Sequence, residues 1–242
     1  KQAPTRSNKG DVQTGMEILK RSNCLDCHSF SGSGIEDRVP KGSTIAHQVM
    51  APDLAHVRER LSLGMLLKWL KDPTAIKKDS IMPKSNLSEE ERVHVAAALL
   101  NSPLIKEEVK PLIPLSNLER PVFYAEVEHA VFKKICWHCH SKPTDVNGGD
   151  AGPGNTGGFG YAGVKLDLGS YEGILHGKGG QSILETKDGE ESLLVQVLLQ
   201  RHTELNANTS DVVLGMPLGL EPLSMEDIQL VRTWVAQGAR KE

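Results

Sequence analysis

All four cysteines of the chain lie in two copies of one short pattern, and a histidine directly follows each copy. The copies are Cys24-Leu25-Asp26-Cys27-His28 and Cys136-Trp137-His138-Cys139-His140. Two thiols at this spacing can reach the two vinyl groups of one porphyrin, and the next residue places an imidazole under the iron. We therefore expect each copy to attach one haem c covalently through its two cysteines and to supply one iron ligand, His28 or His140.

Zinc binding and dithiol redox chemistry are the alternative uses of paired cysteines. A zinc ribbon has its second C-x-x-C about 15–20 residues after the first, whereas here the first cysteines of the copies are 136 − 24 = 112 residues apart. A thioredoxin-like pair follows a strand in a βαβ unit, and no such pattern precedes either copy. Two copies that use every cysteine favour haem attachment.

Methionine is the predicted ligand on the far side of each iron, because a haem that only transfers electrons commonly pairs His with Met. Of six methionines, only Met82 and Met216 precede a proline, and each lies shortly before a serine-capped amphipathic segment. The proline stiffens the loop that carries the thioether. Histidine is the competing ligand type. His176 and His202 are the serious rivals to Met216, and the other candidates are His47, His56, His94 and His129.

Charge and hydropathy exclude several other classes of protein. The net charge is −3 with basic and acidic residues interspersed, so nucleic acid is not an expected partner. No apolar run of about 18 residues or more occurs, which predicts no membrane span. Residues 1–10 lack the apolar stretch of a signal peptide. We interpret the chain as a mature protein whose signal peptide has already been removed.

Helical spacing of apolar residues and capping signals predict similar elements in both halves. The first half has helices over 11–21 and 62–71, where Gly15 permits a close helix crossing, and a third that begins with a capping box of Ser88 and Glu91. The second half has an entry helix over 122–134. Its last helix begins at Ser224 and Asp227 and ends at Gly238.

Two segments differ in composition from these helices: one contains several prolines and the other is rich in glycine. Four prolines between 101 and 121 indicate a connector that packs over the surface, so we predict domains over 1–104 and 121–242 with a linker over 105–120. Residues 147–163 hold eight glycines and predict a surface loop at the edge of the second haem. A phosphate-binding loop is the weaker interpretation, because no Lys-Ser/Thr ending or strand-loop-helix context accompanies the glycines.

These residues together resemble class I cytochromes c. In the first half the resemblance covers the C-x-x-C-H copy, Ala51-Pro52-Asp53-Leu54, Trp69-Leu70-Lys71-Asp72-Pro73, Met82-Pro83 and Leu87-Ser88-Glu89-Glu90-Glu91. It implies that the carbonyl of Pro52 accepts a hydrogen bond from the imidazole of His28. The end of the second half is similar to cytochrome c domains of large periplasmic proteins from planctomycete-type bacteria, but it has no obvious counterpart of Pro52.

The resemblance implies an all-α protein of two tandem class I cytochrome c domains, each a few helices around one covalently bound haem. The implied function is periplasmic electron transfer without catalytic residues. The chain would act as a carrier or as an electron-transfer subunit that serves other periplasmic redox proteins or an oxidoreductase complex. The alternative is a dihaem enzyme such as a peroxidase, which needs one iron with an open sixth position. A third hypothesis is a scaffold with structural haems.

Overall fold

The computed structural model describes residues 10–38, 51–78, 80–105, 113–143, 159–186, 189–206, 215–218 and 220–242. These residues form helices and turns, and their only strand-like feature is one isolated bridge between Lys178 and Gln181. The predicted all-α class is therefore confirmed for this part of the chain. The chain divides into two compact units, Lys1–Glu107 and Glu108–Glu242. No helix in the described ranges has both the length and the apolarity needed to cross a membrane.

Unit 1 is built from helices, three of which begin where the sequence predicts them. Its α-helices are α1 (Val12–Arg21), α2 (Val57–Arg60), α3 (Leu63–Lys71), α4 (Pro73–Ile76) and α5 (Glu89–Asn101), with 3₁₀ turns at Asn23–Asp26 and Leu54–His56. The side chain of Asp11 caps α1 and that of Ser62 caps α3. Ser88 and Glu91 form the reciprocal capping box at α5. The three helix starts predicted in this half are confirmed, because a cap is a local interaction.

Helices α1 and α5 cross at Gly15, where no side chain separates their backbones. A Cβ atom on Gly15 would overlap the carbonyl of His94 and lie 2.8 Å from the Cβ of Ala98. The imidazole Nδ1 of His94 accepts a hydrogen bond from the backbone N–H of Asp11 at 2.8 Å. The close crossing predicted from Gly15 is confirmed. The core beside it includes Ile18, Leu19, Leu25, Leu66, Leu70, Val95 and Leu99.

Unit 2 differs from the predicted pattern at its entry helix. Its α-helices are α6 (Tyr124–Val127), α7 (Phe159–Val164), α8 (Tyr171–His176), α9 (Leu193–Asn206) and α10 (Met225–Ala236), with a π-helical turn at Glu128–Phe132 and a 3₁₀ turn at Cys136–His138. The prediction of one helix over 122–134 is therefore wrong in its start and its type. The π turn places residues five apart on one face, and Val127 and Phe132 are both fully buried.

The last helix of unit 2 begins and ends at the predicted residues. Ser224 caps α10, and Gly238 adopts φ +87° after the helix ends. The N–H of Ala239 then donates to the carbonyl of Trp234 at 2.8 Å, which completes a glycine C-cap. The indole of Trp234 is fully buried beside Tyr124 and Phe132, with ring centroids about 6 Å away in each case.

The predicted connector contributes to unit 2 as well as joining the halves. The boundary between the two units lies inside the predicted linker 105–120. Within its described part, the N–H of Leu118 donates to Thr233 Oγ1 at 2.9 Å and Gln229 donates to the carbonyl of Ser116. Residues 116–118 are therefore fastened to α10.

Candidate functional site

The two C-x-x-C-H copies have the same backbone conformation. In each copy the N–H of the histidine donates to the carbonyl of the first cysteine, His28 to Cys24 and His140 to Cys136, at 2.9 Å. The second cysteine donates to that same carbonyl at 3.3 Å in unit 1 and 3.2 Å in unit 2. Each copy is thus one tight turn that brings two thiols and an imidazole close together, which is the donor set that haem attachment requires.

None of the four cysteines in the two turns forms a disulfide. Burial raises the pKa of the Cys24 thiol, and it raises the pKa of Cys136 to about 12. A raised pKa makes these thiols poor thiolate nucleophiles and argues against a thioredoxin-like role, whose reactive cysteine has a lowered pKa.

His28 is held by the carbonyl of Pro52, the contact that the resemblance implies. Its Nδ1 donates to the Pro52 oxygen at 2.7 Å. The next residue fixes this loop, because the Asp53 carboxylate accepts hydrogen bonds from the N–H groups of Ser31 and Ala55. Burial lowers the pKa of His28, so the ring is neutral. With the proton on Nδ1, the lone pair of Nε2 is left for a metal.

Met82 lies half-buried against the core of unit 1 and its sulfur has a polar neighbour. The indole Nε1 of Trp69, on α3, donates to Met82 Sδ at 2.9 Å. Two further contacts tie the following residues to the same region, since Ser85 donates to the carbonyl of Leu70 and Lys84 pairs with Asp72 at 2.8 Å. The thioether keeps a second lone pair for a metal. Sequence reasoning did not find the contact between Trp69 and Met82.

His140 is supported in a different way from His28. Its Nδ1 is buried and accepts or donates no hydrogen bond within the described part of the chain. The backbone of Gly160, on α7, lies against the ring, so that a Cβ there would be 2.6 Å from His140 Cε1. Burial lowers the pKa of His140, so this ring is also neutral. The His140 ring is thus constrained by steric contact with Gly160, whereas the His28 ring is constrained by a hydrogen bond to Pro52.

This contact also corrects the prediction for the glycine-rich segment. Residues 147–158 lie outside the described residues, but 159–163 belong to α7 and do not form a loop. The N–H of Tyr161 donates to the carbonyl of Cys139 at 2.9 Å, and that of Leu168 to the carbonyl of His140 at 2.7 Å. The end of the segment is helical because it packs directly on the second C-x-x-C-H turn.

Gly160→Ala is expected to disturb the surroundings of His140 selectively. The added methyl group cannot fit beside the His140 ring without moving it, so in the haem-loaded protein that the sequence predicts, the visible spectrum and midpoint potential of one haem should change while the other keeps its values. Gly163→Ala is the matched control, because it lies on the same helix and its Cβ would have no neighbour within 4 Å. Identical spectra for the two variants would contradict the steric role of Gly160.

Met216 and its competitors lie in distinct surroundings. Met216 is half-buried and its N–H donates to the carbonyl of Val197, on α9, at 2.8 Å. His202 is also on α9, but its Nε2 donates to the carbonyl of Leu223 at 2.8 Å. His176 is exposed at the end of α8. With Nε2 bonded to Leu223, His202 could ligate an iron only through Nδ1.

The remaining histidine candidates have other contacts or positions. His56 is buried with its Nδ1 3.1 Å from a carboxylate oxygen of Glu59, and His94 caps the start of α1. His129 is exposed, and His47 lies outside the described residues. Among the residues described, no three His, Cys, Asp or Glu side chains cluster as the ligands of a metal ion.

Comparison of the chain with protein-family models, with curated proteins and with solved structures yields no match. The geometry of the two sites therefore carries the functional argument.

Proposed function

We propose that the chain is a dihaem c-type cytochrome, with one class I cytochrome c domain in each unit. The observation that carries this proposal is the repeated turn: two C-x-x-C-H copies of matching backbone geometry, one in each unit. The hydrogen bond from His28 to Pro52 supports it further, because that bond leaves Nε2 of the imidazole for an axial position.

Each bound haem would supply a one-electron iron couple. Cys24 and Cys27 would hold the first macrocycle and His28 would ligate its iron. In unit 2, Cys136, Cys139 and His140 would do the same. Met82 and Met216 would close the sixth positions, so that neither iron offers a site to a substrate. That assignment supports electron transfer and a role without catalytic residues.

Haem becomes attached to such thiols outside the cytoplasm. We therefore assign the protein to the periplasm. It would act as a carrier or as the electron-transfer subunit of a larger oxidoreductase complex. Its expected partners are other periplasmic redox proteins.

The proposal is tested by the mass of the chain produced in cells that possess a c-type cytochrome maturation system. Under denaturing conditions the mass should exceed that of the polypeptide by two haems, and the protein should be coloured. A colourless sample with the mass of the bare polypeptide overturns the proposal. A reduced protein whose spectrum changes on addition of peroxide would instead favour the peroxidase interpretation.

Met82→Ala and Met216→Ala should each remove half of the near-infrared band of the oxidised protein that arises from methionine-to-iron charge transfer. The reason is that each thioether serves one iron only. Met65→Ala and Met225→Ala are matched controls, because Met65 is exposed and Met225 packs against the core of unit 2. A full band in Met216→Ala would return His176 or His202 as the ligand of the second iron.

A further inference from the structure

The loop that carries Met216, described at residues 215–218 and 220, is bound to helix α9 at several points. Besides the hydrogen bond from Met216 to Val197, the backbone of Gly215 packs so closely on α9 that a Cβ there would overlap the backbone of Arg201. The side chains of Arg201 and Glu204 then reach out from the same helix to the two ends of the loop.

Glu204 holds the start of the loop and Arg201 holds its end. The N–H of Gly215 donates to Oε1 of Glu204. The Nε of Arg201 donates to the carbonyl of Leu220 at 2.8 Å. The other carboxylate oxygen of Glu204 lies 3.3 Å from NH1 of Arg201, so the two side chains form an ion pair between the two ends.

This pair is built into the protein and is not a surface ion pair. Arg201 is 1% exposed, and its side chain is among the largest that are fully buried in the described residues. A buried guanidinium is costly unless it is paired and hydrogen-bonded. Arg201 is paired with Glu204 and hydrogen-bonded to Leu220, so both of its described polar contacts involve the loop of Met216 or the side chain that holds it. Charge-assisted hydrogen bonds to backbone groups are also stronger and more directional than neutral ones.

We infer that Arg201 and Glu204 are positioning residues that fix the loop and thereby hold the sulfur of Met216 at the second iron. This inference rests on the proposed function, because it needs Met216 to be a ligand. A loop held at Gly215 and Leu220 keeps the thioether in place when the iron changes its oxidation state. An exogenous ligand can reach that iron only when the loop opens, so the ion pair also controls access to the sixth position.

Three variants separate the contribution of the ion pair from that of the hydrogen bond to Gly215. Glu204→Gln keeps an oxygen that can accept from Gly215 but loses the charge, and Glu204→Ala loses both. Arg201→Lys keeps the charge, yet its single ammonium group cannot reproduce the planar contacts of the guanidinium. Glu172→Ala is the control, because Glu172 also pairs with a cation in unit 2, Lys241 at 2.8 Å, but on the exposed surface.

The experiment uses the dihaem protein and combines imidazole titration of the oxidised form with amide hydrogen exchange. In Glu204→Ala one of two titration phases should shift to about tenfold tighter imidazole binding, the size expected for one lost buried hydrogen bond. Amides of residues 215–220 should exchange faster. Glu204→Gln and Arg201→Lys should show smaller shifts in the same direction, and Glu172→Ala should match the wild type.

Two results would overturn the inference. Unchanged exchange at 215–220 in Glu204→Ala means that the ion pair does not hold the loop. Faster exchange with unchanged imidazole binding and an intact near-infrared band means that the loop does not position the ligand. Failure of the proposed function gives a different result, namely a colourless chain with the mass of the bare polypeptide, whereas a full band in Met216→Ala means only that Met216 is not the ligand.

Discussion

In the dihaem protein that we propose, replacing Cys136 and Cys139 with serine is expected to remove one of the two covalently bound haems. Serine hydroxyls do not form the thioether bonds to the porphyrin, whereas the turn of unit 1 is unchanged. The mass measured under denaturing conditions should fall by one haem, and the absorbance per chain should fall by about half. The variant also deprives the core of unit 2 of a large apolar group, so its thermal unfolding should begin at a lower temperature.

The matched control is the reciprocal pair, Cys24→Ser with Cys27→Ser. It should lose the other haem, so that the two variants show different remaining spectra that together reproduce that of the parent. Two covalent haems in either variant would contradict the assignment of the cysteines. A purified variant that lacks both haems would mean that one attachment depends on the other.

Gly15→Ala is expected to cause a large loss of stability through a single added methyl group. At the crossing of α1 and α5 that methyl group would overlap the carbonyl of His94, a backbone atom that cannot rotate away. Separating the helices should lower the free energy of unfolding of unit 1 by about 1–3 kcal/mol, the cost typical of overpacking. Urea denaturation followed by circular dichroism measures the change.

Gly64→Ala is the control for this substitution. Gly64 is also in a helix, α3, but a Cβ there would meet no atom within 4 Å. Alanine favours helix over glycine by roughly 0.8–1 kcal/mol, so this variant should be as stable as the parent or slightly more stable. If Gly15→Ala were equally stable, the close crossing of α1 and α5 would be wrong.

The two units use different means to orient histidines of the same motif. A hydrogen bond to Pro52 fixes the ring and the tautomer of His28. Contact with Gly160 limits the position of the His140 ring without fixing its proton. Similarly, Met82 receives a hydrogen bond on its sulfur from Trp69, whereas the constraints on Met216 act through the backbone of its loop. Equal motifs therefore do not imply equal surroundings.

Local interactions are the part of this structure that could be predicted from the sequence. Ser88 and Ser224 cap the helices that follow them, as predicted, because the capping atoms lie within three residues of one another. The turn of each C-x-x-C-H copy is equally local. The sequence pattern did not show the π turn of the entry helix of unit 2, where Val127, Val131 and Phe132 are all buried.

The residue types of the candidate sites can be identified from the chain alone: paired thiols, the adjacent imidazoles and the two methionines before proline. The starts of helices α1, α3, α5 and α10 are also predictable, since they depend on neighbours along the chain. The surroundings of the site residues depend on the fold. Trp69 reaches Met82, Gly160 reaches His140, and Arg201 and Glu204 reach the loop of Met216. Packing brings these groups together across loops, and no local pattern encodes such contacts.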